Sequence, residues 1–436
     1  MKIKFDIFYK DRNYQYLSDN SKDCEDKNTL FVQTTRNADF VPKVKSKGLE
    51  ILHFTDLKKY FRFPPKIIGI TGTNGKTTIA NLIYFILLDR GYSCAMLGTQ
   101  GLFFNHKQLK PKGLTTPTIL ELYENMDLLA GLGCEFLVME VSSHAIEQQR
   151  IYGVDFSSKV ISNITSDHLD YHKTIEAYRA IKNDFLKDEI QKIINLDDKN
   201  INFNPINAFS YSIDSNLADL YVKNYDISGA IKAELVFDTK SYVLDSNLYG
   251  LHNLYNMLAA LLCVKNNTSA TMEDILQSIK KFEGVSGRME VISKNPLVIV
   301  DFAHTHDGME KIFESFSDKK IIVLFGAGGD RDRTKRPLMG RVADLYAQRI
   351  YLTSDNPRSE NPQDIIQDIL EGIEHKDKVV IEPDRKQAMR QALRDLQGDG
   401  GVLLVLGKGD EREQILGDRV IVFDDREVLR QLLKEC

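Results

Sequence analysis

The chain has 436 residues, enough for two to four domains at roughly 100–200 residues each. A hydrophobic fraction of 42% and a charged fraction of 27% are ordinary for a globular protein. Lys plus Arg number 57 and Asp plus Glu 62, so the formal charge is −5, which speaks against a general nucleic-acid binder.

In chain order, the start Met1-Lys2-Ile3-Lys4-Phe5-Asp6 is charged and lacks the apolar core of a secretory signal. The first 60 residues are mixed and polar, with short apolar runs such as Asn28-Thr29-Leu30-Phe31-Val32. Phe63-Pro64-Pro65 then restricts the backbone and marks a first boundary. Lys66-Ile67-Ile68-Gly69-Ile70 predicts a strand, followed by a glycine-rich turn and a helix from Thr77 to about Asp89. The longest apolar run, Ile79 to Leu88, contains Asn81 and falls short of the roughly 18 residues of a membrane span. Glu135–Glu140 predicts a strand ending in an acid, and Lys159–Ile164 another. A second series follows at Pro296–Asp301, Ile321–Phe325, Arg349–Thr353, Val379–Ile381 and Val402–Leu406, with helical patterns between. Parallel strands joined by helices are the economical reading. The expected fold is α/β with three domains: a small one over residues 1–64, a central one over 65–292 and a doubly wound, Rossmann-like one over 293–436. Five scattered cysteines without a CxxC pair indicate neither a zinc ribbon nor a disulfide framework, and a reducing cytoplasm is the simplest location.

The strongest local signal is Gly69-Ile70-Thr71-Gly72-Thr73-Asn74-Gly75-Lys76-Thr77-Thr78, between a predicted strand and a predicted helix. Its glycines let backbone N–H groups approach phosphate oxygens, Lys76 can neutralise β/γ-phosphate charge, and Thr77 can ligate Mg²⁺. Ile70 stands where the usual motif has its first glycine. Glu140 ends a strand beside this loop, a common place for a metal-directed acid, and His168 lies in Ser166-Asp167-His168-Leu169-Asp170-Tyr171-His172. Taken alone, Lys182 reads as a solvated helix lysine and Arg288 as a surface arginine. Three further loops follow strands: Gly326-Ala327-Gly328-Gly329-Asp330-Arg331, Asp355-Asn356-Pro357-Arg358 and Gly407-Lys408-Gly409-Asp410-Glu411. Each alone is an ordinary charged turn; together they suit a zwitterionic ligand.

As an ordered set these motifs resemble the Mur ligases, ATP-dependent enzymes of peptidoglycan precursor synthesis, and within them the MurE branch. To those above the resemblance adds Leu114-Thr115-Thr116-Pro117-Thr118, Met139-Glu140-Val141-Ser142-Ser143-His144, Gly250-Leu251-His252-Asn253-Leu254-Tyr255-Asn256, Gly287-Arg288-Met289-Glu290 and Asp301-Phe302-Ala303-His304-Thr305. It implies a UDP-binding, a central ATPase and a C-terminal Rossmann-like domain, with ATP and Mg²⁺ as cofactors. It assigns ATP to Gly72, Thr73, Asn74, Gly75, Lys76, Thr77, Thr78, Asn256, Arg288 (γ-phosphate) and Asp301 (ribose). The UDP-muramyl dipeptide falls to Thr115, Thr116, Ser142, Gln148 and Arg150, with uracil contacts at Ser21 and around Thr34–Asn37. Lys182 matches a lysine that becomes N-carboxylated and joins Glu140 and His168 at a metal, beside Thr77. Lys76, Lys182, Arg288 and His168 are thus the expected catalytic groups. Arg331, Asp355, Asn356, Pro357, Arg358, Gly407 and Glu411 match a meso-diaminopimelate pocket. The implied partners are UDP-N-acetylmuramoyl-L-alanyl-D-glutamate and meso-2,6-diaminopimelate, acted on by a monomer without nucleic acid or membrane insertion. Leu114, Phe302, His306 and Asp410 depart from the commoner family residues without removing a charged group from this chemistry. Rival readings are folylpolyglutamate synthase, which shares the ATPase core, and a P-loop switch, which lacks here a guanine-reading Asn-Lys-x-Asp.

Overall fold

The structure is a computed structural model that describes residues 1–24, 26–396 and 401–435. Its short β-branched and aliphatic runs, punctuated by glycine and proline, form three principal sheets. The first has four strands in the order β1-β2-β3-β4: β1 (Lys2–Tyr9), β2 (Arg12–Ser18), β3 (Thr29–Gln33) and β4 (Ile51–His53). Its apolar face does not close on itself. Leu17, Leu30, Val32, Leu52, Phe54 and Phe61 share one core with Ile119, Leu120 and Tyr123 of the helix Ile119–Gly131.

The second sheet has eleven strands: β5 (Lys66–Thr71), β6 (Cys94–Gly98), β7 (Gly101–Phe104), β8 (Lys107–Lys110), β9 (Phe136–Glu140), β10 (Ser158–Ile161), β11 (Lys192–Asn195), β12 (Ala208–Ser212), β13 (Leu220–Asp226), β14 (Lys232–Phe237) and β15 (Lys240–Asp245). The order is β15-β14-β13-β12-β11-β10-β5-β9-β6-β7-β8. β5 lies parallel between β10 and β9, so the loops that leave these strands meet at one sheet edge. β7 and β8 extend the sheet antiparallel beyond β6, an addition that the βαβ pattern did not foretell. β10 stops at Ile161 rather than Ile164, because Ser162 and Asn163 turn their side chains to the loop after β5.

The third sheet has the order β16-β17-β21-β18-β19-β20: β16 (Glu290–Lys294), β17 (Leu297–Asp301), β18 (Ile321–Phe325), β19 (Arg349–Leu352), β20 (Val379–Ile381) and β21 (Val402–Leu406). All neighbours are parallel except β16 against β17. Residue 292, the expected end of the central domain, lies inside β16, which pairs with β17. Apolar clusters cover both faces, as a doubly wound sheet requires. A hairpin of β22 (Glu413–Leu416) and β23 (Arg419–Val422) follows.

By internal contact the chain divides into two units: Met1–Lys223 with Leu235–Tyr242 and Tyr255–Ile279, and Asn224–Glu234 with Val243–Leu254 and Lys280–Cys436. Cys24, Cys94, Cys134 and Cys263 are free and buried, as their scatter predicts; Cys436 lies outside the described residues. No helix among the described residues is long and apolar enough to cross a membrane.

Candidate active site

In the first unit, β5 delivers the glycine loop to the start of the helix Lys76–Asp89. Gly72 (φ +139°) and Gly75 (φ +87°) adopt backbone conformations that favour glycine. A Cβ on Gly72 would lie 1.9 Å from Ser162 Oγ, and one on Gly75 2.3 Å from Asn256 Oδ1. The segment after β10 braces the loop. Thr73 N donates to the Asn163 carbonyl (2.8 Å) and Asn74 N to Asn163 Oδ1 (3.0 Å), while the Thr73 hydroxyl meets Tyr178 OH at 3.0 Å. Thr78 is buried in the first turn of the helix. Asn163 and Tyr178 were not among the expected residues; the adjacency of β10 to β5 is the signal that could have found Asn163.

Two lysines converge on one carbonyl. Lys76 Nζ and Lys182 Nζ each donate to Gly72 O at 2.8 Å, and Lys76 also to Thr73 O at 2.9 Å. Lys182, read from sequence as solvated, is buried. Burial first, then the neighbouring Lys76 charge, push its pKa well below that of an ordinary lysine.

Glu140 ends β9, also buried. It accepts from Thr77 Oγ1 (3.0 Å), Thr99 N (2.9 Å) and Thr99 Oγ1 (3.2 Å), and Gly98 lets it come close, since a Cβ there would be 2.1 Å from Glu140 Oε1. A hydroxyl beside a carboxylate is a hard-oxygen pair that fits Mg²⁺, an ion that takes much of its shell from phosphate and water. No cluster of three or more His, Cys, Asp or Glu side chains placed for a metal occurs among the described residues. His168, at φ +53°, is half exposed, with its Nε2 3.3 Å from Asp167 and its ring 5.0 Å from that of His144. The structure thus joins Glu140 to Thr77 directly and sets His168 and Lys182 on other partners.

The residues expected to hold a muramyl substrate form one hydrogen-bonded track. Thr115 Oγ1 meets Thr99 Oγ1 at 3.2 Å. Thr116 Oγ1 donates to the Glu140 carbonyl (2.9 Å) and accepts from Ser142 N (3.0 Å). Arg150 donates to Thr116 O (2.8 Å) and through Nε and Nη2 to Gln148 Oε1 (3.0 and 2.7 Å). Thr35 Oγ1 donates to Gln148 O (3.0 Å), and Asn37 ties Asp19 O (2.8 Å) to Thr34 N (2.7 Å), next to the turn that buries Ser21. The path runs from the loop after β3 through Gln148, Arg150 and Thr116 to Glu140 and Thr77.

In the second unit, Asp301 ends β17 and accepts from Met289 N (2.7 Å) and Ala303 N (2.6 Å); burial raises its pKa, against the pull of Arg288. The Arg288 guanidinium lies 4.3 Å from the centre of the Phe302 ring. At the ends of β18, β19 and β21, Asn356 Nδ2 donates to Glu411 Oε2 (2.7 Å) and Asn356 Oδ1 accepts from Ile415 N (2.8 Å). Gly407 faces Asp355, whose Oδ2 would be 2.5 Å from a Cβ there. Arg358, at φ +53°, is held by Ile415 O (3.1 Å) and Gly417 N (2.7 Å) on its backbone and by Gly329 O (2.8 Å) on its Nη1. Pro357 O would lie 1.8 Å from a Cβ on Gly329, and both Arg358 and the exposed Arg331 approach Gly328. The expected pocket residues are thus brought together. Arg336 and the Arg385–Asp425 pair behind them, fully buried, were missed because a helix arginine reads as solvated.

Fold and site define a P-loop α/β protein with a second, doubly wound module whose loops gather charge at strand carboxyl ends. A family model described as the Mur ligase middle domain matches residues 70–264, and one described as the Mur ligase, glutamate ligase domain matches residues 287–409. The chain is 51% identical over 440 residues to the UDP-N-acetylmuramoyl-L-alanyl-D-glutamate–2,6-diaminopimelate ligase of Helicobacter pylori, covering 99% of this chain and 98% of that protein. It is 50% identical over 430 residues to the protein of the same name from Wolinella succinogenes, covering 98% of each. A solved structure of a UDP-N-acetylmuramoyl-L-alanyl-D-glutamate–2,6-diaminopimelate ligase superposes with a TM-score of 0.69 at 29% identity, over 99% of this chain and 97% of that one. Folylpolyglutamate synthase of Mycobacterium tuberculosis, with a TM-score of 0.63 at 16% identity over 81% of this chain and 91% of that one, shares the fold. The chain belongs to the Mur ligase family.

Proposed function

We propose that this protein uses ATP and Mg²⁺ to join meso-2,6-diaminopimelate to the D-glutamyl carboxylate of UDP-N-acetylmuramoyl-L-alanyl-D-glutamate, a step of peptidoglycan precursor synthesis. The observation that carries the reading is the polar track from Asn37 through Gln148, Arg150, Thr116 and Ser142 to Glu140 and Thr77, which leads a muramyl substrate to the phosphate loop. The names of the full-length relatives support the substrates.

In this reading the loop N–H groups and Lys76 take the ATP phosphates, and Asn256, Arg288 and Asp301 keep the adenine, γ-phosphate and ribose roles of the family. Bound Mg²⁺, held by Thr77 and Glu140, would neutralise phosphate charge. The glutamyl carboxylate oxygen attacks the γ-phosphorus, the bond to the β-γ bridging oxygen breaks, and ADP leaves an acyl phosphate. The amine of the incoming amino acid then attacks the acyl carbon. Collapse of the tetrahedral adduct gives the amide, inorganic phosphate and a proton. Lys182 carries a carbamate, formed when its neutral amine adds CO₂ and loses a proton; the buried, depressed amine supports this. Three domains divide near residues 64 and 292, and the enzyme works as a cytoplasmic monomer.

The test is phosphate release from ATP with each substrate withheld in turn. Release that requires both the muramyl nucleotide and the amino acid agrees with the proposal. Release with either alone, or with a folate and glutamate, contradicts it.

A further inference from the structure

Behind Arg358 lies an ion cluster to which neither the family resemblance nor the proposed mechanism gives a part. Arg336 is fully buried. Its Nη1 donates to Glu360 Oε2 (2.9 Å) and Asp368 Oδ2 (2.8 Å), and its Nη2 to Glu360 Oε1 (2.9 Å) and Gly328 O (3.2 Å). Both groups are charged at neutral pH: the Arg336 hydrogen bonds hold the Glu360 carboxyl down at about 2, and Glu360 raises the pKa of Arg336.

The contacts of this cluster run to the two loops that hold Arg358. Glu360 Oε1 accepts from Asp330 N (2.6 Å), and Glu360 N donates to Pro357 O (3.0 Å). Gly329 N donates to Asn356 O (2.9 Å), and the Ser359 hydroxyl donates to Asp330 Oδ1 (2.6 Å). Gly329 is therefore fixed from both neighbours, Gly328 by Arg336 and Asp330 by Glu360. Its carbonyl is the one that receives Arg358 Nη1 (2.8 Å). The peptide plane that carries this carbonyl is held through Asp330 N on the Glu360 carboxylate, and the plane before it through Gly328 O on the buried Arg336, so neither rotates without breaking a charge-assisted hydrogen bond, among the stronger ones in a protein. The Gly329 carbonyl in turn fixes the turn of the guanidinium, and so the direction in which its remaining N–H groups point.

We propose that the Arg336–Glu360 pair is a positioning element for amino-acid recognition: it orients the Gly328–Asp330 loop so that Arg358 presents its fork to the far carboxylate of the diaminopimelate class of substrate. This rests on the ligase reading above. Arg336 and Glu360 act through Arg358 and are not catalytic residues.

The test is a double-mutant cycle on the full chain, read as steady-state kinetics for meso-diaminopimelate with ATP and UDP-muramyl dipeptide saturating. Glu360→Gln keeps the shape of the side chain, removes the charge and turns an NH₂ toward a donor. It is expected to raise KM for meso-diaminopimelate about tenfold, with KM for the muramyl dipeptide changed by less than about twofold. Arg336→Lys is expected to act in the same direction. In an Arg358→Ala background, Glu360→Gln is expected to add no further rise, because the group being aimed is gone. An unchanged KM in folded Glu360→Gln protein overturns the inference, as does an equal rise in both backgrounds, which would mark general damage to the loops. If Glu360→Gln does not fold, Ser359→Ala, at the exposed end of the same loop pair, is expected to raise KM about twofold, and an unchanged value overturns the inference. An unmutated protein that ligates no diaminopimelate defeats the ligase reading, and the inference with it; ligation by that protein with a failed cycle defeats the inference alone.

Discussion

Individual side chains in this protein take their chemistry from what surrounds them. Lys76 and Lys182 share the Gly72 carbonyl, yet one opens a helix at the phosphate loop and the other is buried with a depressed pKa. Lys76→Ala is expected to abolish ligation, since no neighbouring group replaces its charge; near-normal turnover in the folded variant would remove the phosphate-loop assignment. Lys182→Ala is expected to be nearly inactive and partly restored by short carboxylates that refill the place of a carbamate; an active variant indifferent to added acetate would refute the modification. Glu360 gives a pH dependence with a definite sign. Its folded pKa of about 2 lies below the ordinary 4.5, so its stabilisation is complete above 4.5 and is lost as pH falls toward 2. Urea unfolding over that range should show a shallower acid limb for Glu360→Gln than for the unmutated protein, and parallel limbs would contradict the pairing.

At the scale of elements, the glycine loop shows why backbone conformation rather than side-chain chemistry decides a position. Gly75 caps the helix Lys76–Asp89 in a left-handed conformation, against Asn256 Oδ1. An alanine there pays about 1–2 kcal/mol in backbone strain and must displace Asn256. Gly75→Ala should therefore weaken ATP binding at least tenfold by calorimetric titration, and unchanged affinity would show that the loop does not need this geometry. The loop was legible in the sequence because a strand, glycines and a helix leave few other structures. So were the strands β17, β18, β19 and β21, whose apolar runs are buried on both faces. Asp355, Asn356 and Arg358 were expected in a pocket from their motif alone. The antiparallel extension of β7 and β8 was hidden because both strands have only four residues and β8, with its Lys and Gln, carries little apolar pattern. Lys182, Arg336 and Arg385 were hidden for another reason: a charged residue in a helix reads as solvated, and the partners that make its burial tolerable lie far away in sequence.

For the molecule as a whole, residues 1–64 hold a four-stranded sheet but not the whole of its core. Their apolar face is completed by Ile119, Leu120 and Tyr123. A chain lacking residues 1–64 should therefore aggregate, and a soluble, monodisperse product in size-exclusion chromatography would contradict the shared core. The expected choice of amino acid turns on Arg358. Meso-diaminopimelate differs from L-lysine by a second carboxylate, which a guanidinium can bind through two parallel hydrogen bonds. Sites built around such a group reject analogues lacking it by on the order of 10⁴–10⁵. The most direct measurement is a competition panel of meso-diaminopimelate and L-lysine with UDP-N-acetylmuramoyl-L-alanyl-D-glutamate and ATP, read by product mass. The diaminopimelyl product in large excess for the unmutated protein, with that preference mostly lost in Arg358→Ala, is the predicted result; comparable catalytic efficiency with L-lysine in the unmutated protein would contradict it.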